Sequence, residues 1–521
     1  MKHSSRVALL LLPSAAVVLM LLLPMLRLAA EGWGESFYES FFTVWQDDFL
    51  TWRLLWSFTQ AVVTCVLALV FGLPVAWVLA RFEFPGRQLV LGLLMLPFVV
   101  PTLVAALGVL ALWGPQGVFS QALGIDLQDT PWLLLYGNLF FNLCLVIRAG
   151  VDALGQVNAH CMAASRSLGA TPWRAFWRVE WPVIAPWLTS SLCLVFLYCF
   201  SGFGLALVLG GQRYATVEVE IYTLVAYELK LAQASSLALW MLVLTGLVAL
   251  AYAYVEKRLS VSARLHPVAL RQPKTVLGWF AVLAGMAVLF FFCAAPLLAI
   301  VWHAMQADTQ AWDALLDADT LNALWNTLRF SVVALLIATV LGIAHALGTQ
   351  GSVVWRAAAY LPLIASPVTV AFGLLLLYPD WTASLALLIA AYAVLAYPFV
   401  TKAMTAGLGS LPENLSQVAR TLGASPMRTF WRVTLPLLSP ALRRGMAFAA
   451  ATALGEFAVT LFLSRPEWTT LTTLIYQRLG KPGAVNLDTA MLLACLLMLL
   501  SALVFVVIDS PQKTSETKTI G

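Results

Sequence analysis

Residues 165–182 read SRSLGATPWRAFWRVEWP, and residues 419–436 read ARTLGASPMRTFWRVTLP. Eleven of the eighteen positions match at a fixed offset of 254, among them Arg166/Arg420, Gly169/Gly423, Pro172/Pro426, Arg174/Arg428, Arg178/Arg432 and Pro182/Pro436. A polar, arginine-bearing passage that recurs between long apolar runs means that the chain is built twice over. The register persists downstream, where Ile221-Tyr222 falls on Ile475-Tyr476. Upstream, Leu96-Pro97 pairs with Leu361-Pro362 at an offset of 265, so the first half carries extra residues, expected in the loop around 114–131.

The apolar runs set the class. The 521 residues are 61% hydrophobic and 11% charged, with a mean hydropathy of +0.88. A soluble domain is about 25% charged, and a chain this apolar cannot cover its own surface in water. The reading is an all-α polytopic membrane protein. The seven cysteines form no C-x-x-C pair and the five histidines are scattered, so they read as packing residues rather than metal ligands or disulfides.

Runs long enough to cross about 30 Å of hydrocarbon fall near 7–29, 54–80, 89–113, 132–150, 187–211 and 234–255. After a basic linker, six more fall near 276–302, 324–348, 355–378, 381–402, 445–464 and 487–508. The first, preceded by Lys2 and Arg6, is of spanning length and reads as a retained helix rather than a signal peptide. Threading the twelve alternately puts 22 of the 30 Lys and Arg on the N-terminal side, while acids such as Glu31, Glu35, Asp308 and Asp313 fall opposite. The positive-inside rule then predicts that both termini and both repeated loops are cytoplasmic. Nucleic acid is not implied, because the net charge of +5 follows the membrane.

These observations divide the chain into a first repeat at 1–255, a cytoplasmic linker at 256–275 and a second repeat at 276–521. Each repeat holds about six spans, an even number, so both keep one orientation and are related by an axis along the membrane normal. The equivalent loops, about 160–182 and about 414–436, should face the same way and suit two copies of one partner.

The loop sequence predicts its own shape. Gly169 and Gly423 suit left-handed helix ends. Thr171 and Ser425 suit N-caps, with Pro172 and Pro426 in the first helical turn. Arg174 with Arg178, and Arg428 with Arg432, then share a face, flanked by Phe176, Trp177, Phe430 and Trp431. Pro182 and Pro436 are expected to close the segment before the next span.

This pattern resembles the permease loop of ATP-binding-cassette importers, written EAA, three residues, Gly, nine residues, Ile, one residue, Leu-Pro. Arg166, Leu168, Gly169 and Pro182 match in the first copy; Ala419, Arg420, Leu422, Gly423, Leu435 and Pro436 match in the second. The motif's Glu is replaced by Ala163 and Gln417, and Trp181 stands where Leu precedes Pro182. The resemblance implies a type I importer permease with about twelve helices in two parallel six-helix repeats. It further implies ATPase-coupling roles for Arg166, Gly169, Pro172, Arg174, Arg178 and Pro182, and for Arg420, Gly423, Pro426, Arg428, Arg432 and Pro436. The implied setting is a bacterial inner membrane, the partners two ATPase subunits and a periplasmic binding protein.

The chain itself carries no G-x-x-x-x-G-K-[ST] phosphate loop. It is therefore read as a transport subunit without catalytic site, metal or cofactor of its own, with ATP and Mg in the partner ATPase. Among such permeases, stretches such as RFEFPGRQLVLGLLMLPFVVPTLV (81–104) and LGEFAVTLFLSRPEWTTLTTLIYQRLGKPGA (454–484) resemble the thiamine and thiamine-pyrophosphate group, with ferric-iron permeases as the related alternative.

Glu456 is the acid expected inside the eleventh span, with Gly202 at the matching place. A path lined by Glu456, Phe457, Phe203, Tyr222 and Tyr476 would suit a cationic ring; an interhelical hydrogen bond from Glu456 is the competing reading. An ion-coupled secondary transporter also has twelve spans, but it needs acids or histidines in several of them. No H-E-x-x-H or G-x-S-x-G constellation points to a membrane enzyme.

Overall fold

In a computed structural model the structure describes residues 3–31, 41–42, 44–256, 268–349, 355, 358–359, 361–382, 384–412, 415, 418–419, 421–463 and 465–509. Among these every element is helical, apart from an isolated bridge pairing Phe82 with Arg271. The first half runs α1 (His3–Val17), a π-helical turn, α2 (Leu23–Glu31), α3 (Asp48–Arg81), α4 (Thr102–Trp113) and α5 (Pro131–Leu154). It continues with α6 (Ala159–Ser167), α7 (Pro172–Ala175), α8 (Trp181–Phe200), α9 (Gly204–Leu209), α10 (Val217–Ala226) and α11 (Leu231–Glu256). The second half runs α12 (Val276–Leu289), α13 (Ala295–Gln306), α14 (Ala318–Gly348), α15 (Pro367–Leu377) and α16 (Leu385–Ser410). It ends with α17 (Pro426–Thr429), α18 (Leu435–Leu454), α19 (Ala458–Leu463), α20 (Leu471–Leu479) and α21 (Ala484–Asp509).

Ten described stretches are long and apolar enough to cross a membrane. Two of the twelve expected runs fall outside that set, each for a local reason. The run at 355–378, of which 355, 358–359 and 361–378 are described, is divided into Leu361–Ile364 and α15, because Ser366 turns its hydroxyl onto the N–H groups of Val368 and Thr369 and Pro367 opens a new helix. The run at 445–464 belongs to α18, whose apolar character is interrupted by Arg443 and Arg444, and it breaks at Gly455 before α19. The run at 89–113 is likewise divided, into Arg87–Leu93, Leu96–Val99 and α4. Hydropathy sees the oil but not the breaks within it.

Helix directions follow from close contacts. In the first half Gly72 packs against Val146 and Gly150 against Ala76, so α3 and α5 run the same way; Asn142 meets Cys199 and Gly150 meets Leu188, so α8 runs back. The second half repeats the crossing: a Cβ built on Gly342 would lie 2.6 Å from Val400 Cβ, leaving no room for a side chain. Gly407 against Leu438 and Gly445 against Val400 set α18 antiparallel to α16.

Arg271 pairs with the end of α3, Gly285 approaches Val78, and Phe292 meets Phe71. The α12–α13 rod is therefore antiparallel to α3 and delivers α14 in the same direction as α3. Both halves share one orientation, and both repeated loops sit at one end of the bundle. The linker expected at 256–275 is described only at 256 and 268–275.

The halves are not two separate bodies. α1 and α2 pack on α14 and α15 of the other half, while α12 and α13 pack on α3 and α4. Val17, Leu21 and Met25 accordingly belong to the second half's core, and Phe292, Ala295 and Ile300 to the first.

Candidate functional site

The two repeated loops fold alike. In the first, Asn158 caps α6 by accepting from His160 N–H at 2.8 Å, and Gly169 closes it at φ 76°. Ala170 N–H then returns to Ser165 O at 3.0 Å, the capping bond that a left-handed glycine permits. Thr171 Oγ1 accepts from Arg174 N–H at 3.4 Å. In the second, Gly423 has φ 80°, Ala424 N–H returns to Ala419 O at 3.0 Å, and Ser425 Oγ accepts from Arg428 N–H at 3.3 Å. Arg420 and Gln417 lie outside the described residues.

One expectation is corrected. Pro182 and Pro436 do not close the segment, because each sits in the first turn of a helix that continues unbroken from the loop. A π-helical turn precedes each, Phe176–Glu180 and Phe430–Thr434. Widening the turn there shifts the hydrogen-bond register at the residue that has no N–H to give.

What the loops present is apolar as well as basic. α6 buries no residue, and the side chains of Arg166, Arg174, Arg178, Arg428 and Arg432 are exposed, with no hydrogen bond or ion pair among the described residues. The equivalent Leu168 and Leu422 are 87% and 83% exposed, matched apolar knobs at the tip of each loop. Beneath the first loop, Arg81 at the end of α3 pairs with Glu180 at 2.6 Å, both buried. That pair ties the loop rigidly to the bundle, and neither residue was marked by the repeat.

At the far end of α8 and α18 the halves enclose a cavity of about 230 Å³. By 1.5 Å of rise per residue its first lining residues on these helices, Phe448 and Tyr198, lie about 18 and 24 Å from the ends of the loops. Phe203 and Phe457, exact equivalents at offset 254, stack across it with centroids 5.8 Å apart. Tyr222 lies against Phe203 at 5.6 Å and Tyr476 against Phe457 at 5.4 Å. The tyrosines back the pair and do not line the cavity, so of the five expected path residues three face it and two buttress it.

Glu456 lines the cavity, yet it does not sit within a span as expected. It occupies the break between α18 and α19, where its Oε1 accepts from Val459 N–H at 3.0 Å and caps α19. The carboxylate is thus held at a helix start beside the cavity that the path reading expected it to line.

Sequence reasoning missed the amides. Gln60, Asn138 and Asn142 are buried in α3 and α5; Asn138 Nδ2 donates to Gln60 Oε1 at 2.7 Å, and Asn142 Nδ2 to Asn138 O at 3.0 Å. Lone amides inside apolar runs were the available signal. Also missed was Arg53, which pairs with Glu220 at 3.2 Å and donates to the carbonyls of Gln212, Arg213 and Ala215, clamping the loop after α9.

The two-fold relation extends to single bonds. Ser57 Oγ accepts from Val217 N–H and Thr327 Oγ1 from Leu471 N–H, each at 2.8 Å. Trp56 and Asn326 likewise both bond to carbonyls of a later loop in their own half, at Tyr214 in one and at Glu467 and Thr469 in the other. These pairs fix the offset at 270 for α3 and α14, which completes the drift from 254 through 265.

Comparison with known proteins adds three findings. A family profile described as binding-protein-dependent transport system inner membrane component matches residues 68–261 and again 338–510. The thiamine transport system permease protein ThiP of Escherichia coli is 28% identical over 517 residues, covering 92% of each chain; that of Haemophilus influenzae is 28% identical, covering 89% of each. A crystal structure of a bacterial ABC transporter involved in the import of the acidic polysaccharide alginate aligns with a TM-score of 0.40 and 18% identity, over 49% of this chain and 95% of that one.

Proposed function

This chain belongs to the inner-membrane components of binding-protein-dependent transport systems, and from that premise we propose that it forms the translocation path of an ATP-driven importer for thiamine or its phosphate esters. The observation that carries the mechanism is the doubled loop: identical caps at Gly169 and Gly423, identical π-helical turns, and matched exposed knobs at Leu168 and Leu422 on one end of the bundle. Two equal knobs call for two equal partners, and an ATPase dimer offers them. The chain holds no phosphate loop, so ATP and Mg belong to that partner.

Each loop continues without a break into α8 or α18. A displacement of the loop is therefore carried along about 30 Å of helix to the Phe203–Phe457 pair, which closes the cavity. Drawing the two helix ends apart would unstack the rings and open the path. The positive-inside rule orients the loops toward the cytoplasm, leaving the opposite end, with the loops clamped by Arg53 and Asn326, for a periplasmic binding protein.

Thiamine as cargo is supported by relatives aligned over 92% and 89% of this chain. The test is uptake of labelled thiamine by the permease reconstituted with its ATPase and binding protein. ATP-dependent accumulation is expected. Accumulation of ferric ion without thiamine would overturn the cargo assignment, and uptake by the permease alone under an ion gradient would overturn the ATP-driven reading.

A further inference from the structure

The amides beside the cavity form a chain with a direction. Gln60 Nε2 donates to Cys199 O at 2.8 Å and Ser57 O at 3.0 Å, which leaves Gln60 Oε1 to accept from Asn138 Nδ2. Asn142 Nδ2 donates to Asn138 O and to Cys199 Sγ at 3.3 Å. Because carbonyl oxygens can only accept, these contacts fix which atom of each amide is nitrogen. Every amide N–H with a partner here is thereby directed into protein. Two acceptors are left over: Asn142 Oδ1 is buried with no donor, and Asn138 Oδ1 likewise receives none; the two residues line the cavity and are 2% and 4% exposed.

A buried acceptor without a partner is costly, about 1–3 kcal/mol, so its persistence beside a cavity calls for a donor from outside the chain. The second half supplies Glu456, a further acceptor, and the lining includes no Lys, Arg or His. Phe98, Phe399 and Phe448 line the space between as a cluster of aromatic rings packed on one another. Acceptors plus aromatic rings, with no basic group, match a small planar cation that carries N–H donors and disfavour an anion.

The arrangement breaks the two-fold. Gln60, Asn138 and Asn142 correspond to Phe330, Tyr392 and Ala396 at the offsets of 270 and 254, and Glu456 corresponds to Gly202. The amide wall belongs to the first half and the acid to the second, so an unsymmetrical guest has one orientation.

We propose that Asn142, positioned by Asn138 and Gln60, together with Glu456, forms a specificity site in the translocation cavity that reads the amino-bearing heteroaromatic end of the cargo rather than any phosphate. This inference rests on the permease reading above and deepens it. For thiamine the donor is the ring amine.

The test is titration calorimetry on the permease–ATPase complex in nanodiscs, using as probes thiamine and the analogue whose ring amine is an oxo group. Wild type should prefer thiamine by roughly tenfold, the usual value of one polar contact to a buried group. Asn142→Leu should lose that preference, while Asn142→Asp, which keeps an oxygen acceptor, should retain it; co-purification with the ATPase reports that each variant is assembled. Absence of thiamine binding, equal binding of the two probes by wild type, or an unchanged preference in Asn142→Leu would each overturn the site. Preference without uptake in the transport assay would instead remove the cargo assignment and leave the site standing.

Discussion

Glu456 does two things that substitution can separate. Glu456→Gln keeps an oxygen for the Val459 N–H, so thermal stability should change by under about 1 kcal/mol, while loss of the charge should lower thiamine uptake roughly tenfold. Glu456→Ala should add a loss of about 1 kcal/mol from the missing cap; unchanged uptake in both would remove the acid from the path. Arg53 is the structural counterexample. Its guanidinium holds three carbonyls and Glu220 in a buried site, so Arg53→Ala should cost about 3–5 kcal/mol by stranding the carboxylate, read as a lower unfolding midpoint in detergent. At this scale the sequence was only partly legible. Hydropathy averaged over a span hides a single Asn142, and a charge count treats Arg53 and Glu220 as loop charges when each is buried against the other.

At the scale of elements, the glycines that end the loop helices are the sharpest test. Gly169→Ala and Gly423→Ala both force a Cβ into left-handed backbone, at about 1 kcal/mol each, with open space around the new atom. Any effect therefore comes through the turn. Both variants should weaken retention of the ATPase on affinity co-purification, and to a similar extent; an effect from one copy alone would mean the loops are not equivalent. The caps at Gly169, Thr171, Gly423 and Ser425 were legible because each has a residue-type rule behind it. The π-helical turns were not, since Phe-Trp-Arg-Val reads equally well as ordinary helix. Nor were the breaks at Pro101 and Pro367, which lie within runs that stay apolar throughout.

At the scale of the molecule, the repeat disclosed two six-helix units of one orientation but not how they hold together. Repeats record what each half does for itself; the exchange of α1–α2 and α12–α13 between halves depends on surfaces that face the other copy. That exchange predicts that residues 1–255 and 276–521, expressed as separate chains, co-purify as a stable pair. Recovery of the halves as independent monomers would contradict it. The cavity follows from the same scale, because it exists only where the far ends of α8 and α18 meet, and no single repeat contains it.

The central claim is that both loops present equivalent knobs on one membrane face. The direct measurement is labelling of Leu168→Cys and Leu422→Cys by a membrane-impermeant thiol reagent, in a Cys161→Ser background that removes the exposed native thiol nearby. In inverted inner-membrane vesicles both positions should label, and both should be protected when the ATPase is bound. In right-side-out vesicles neither should. Labelling of one position from each side would contradict the account.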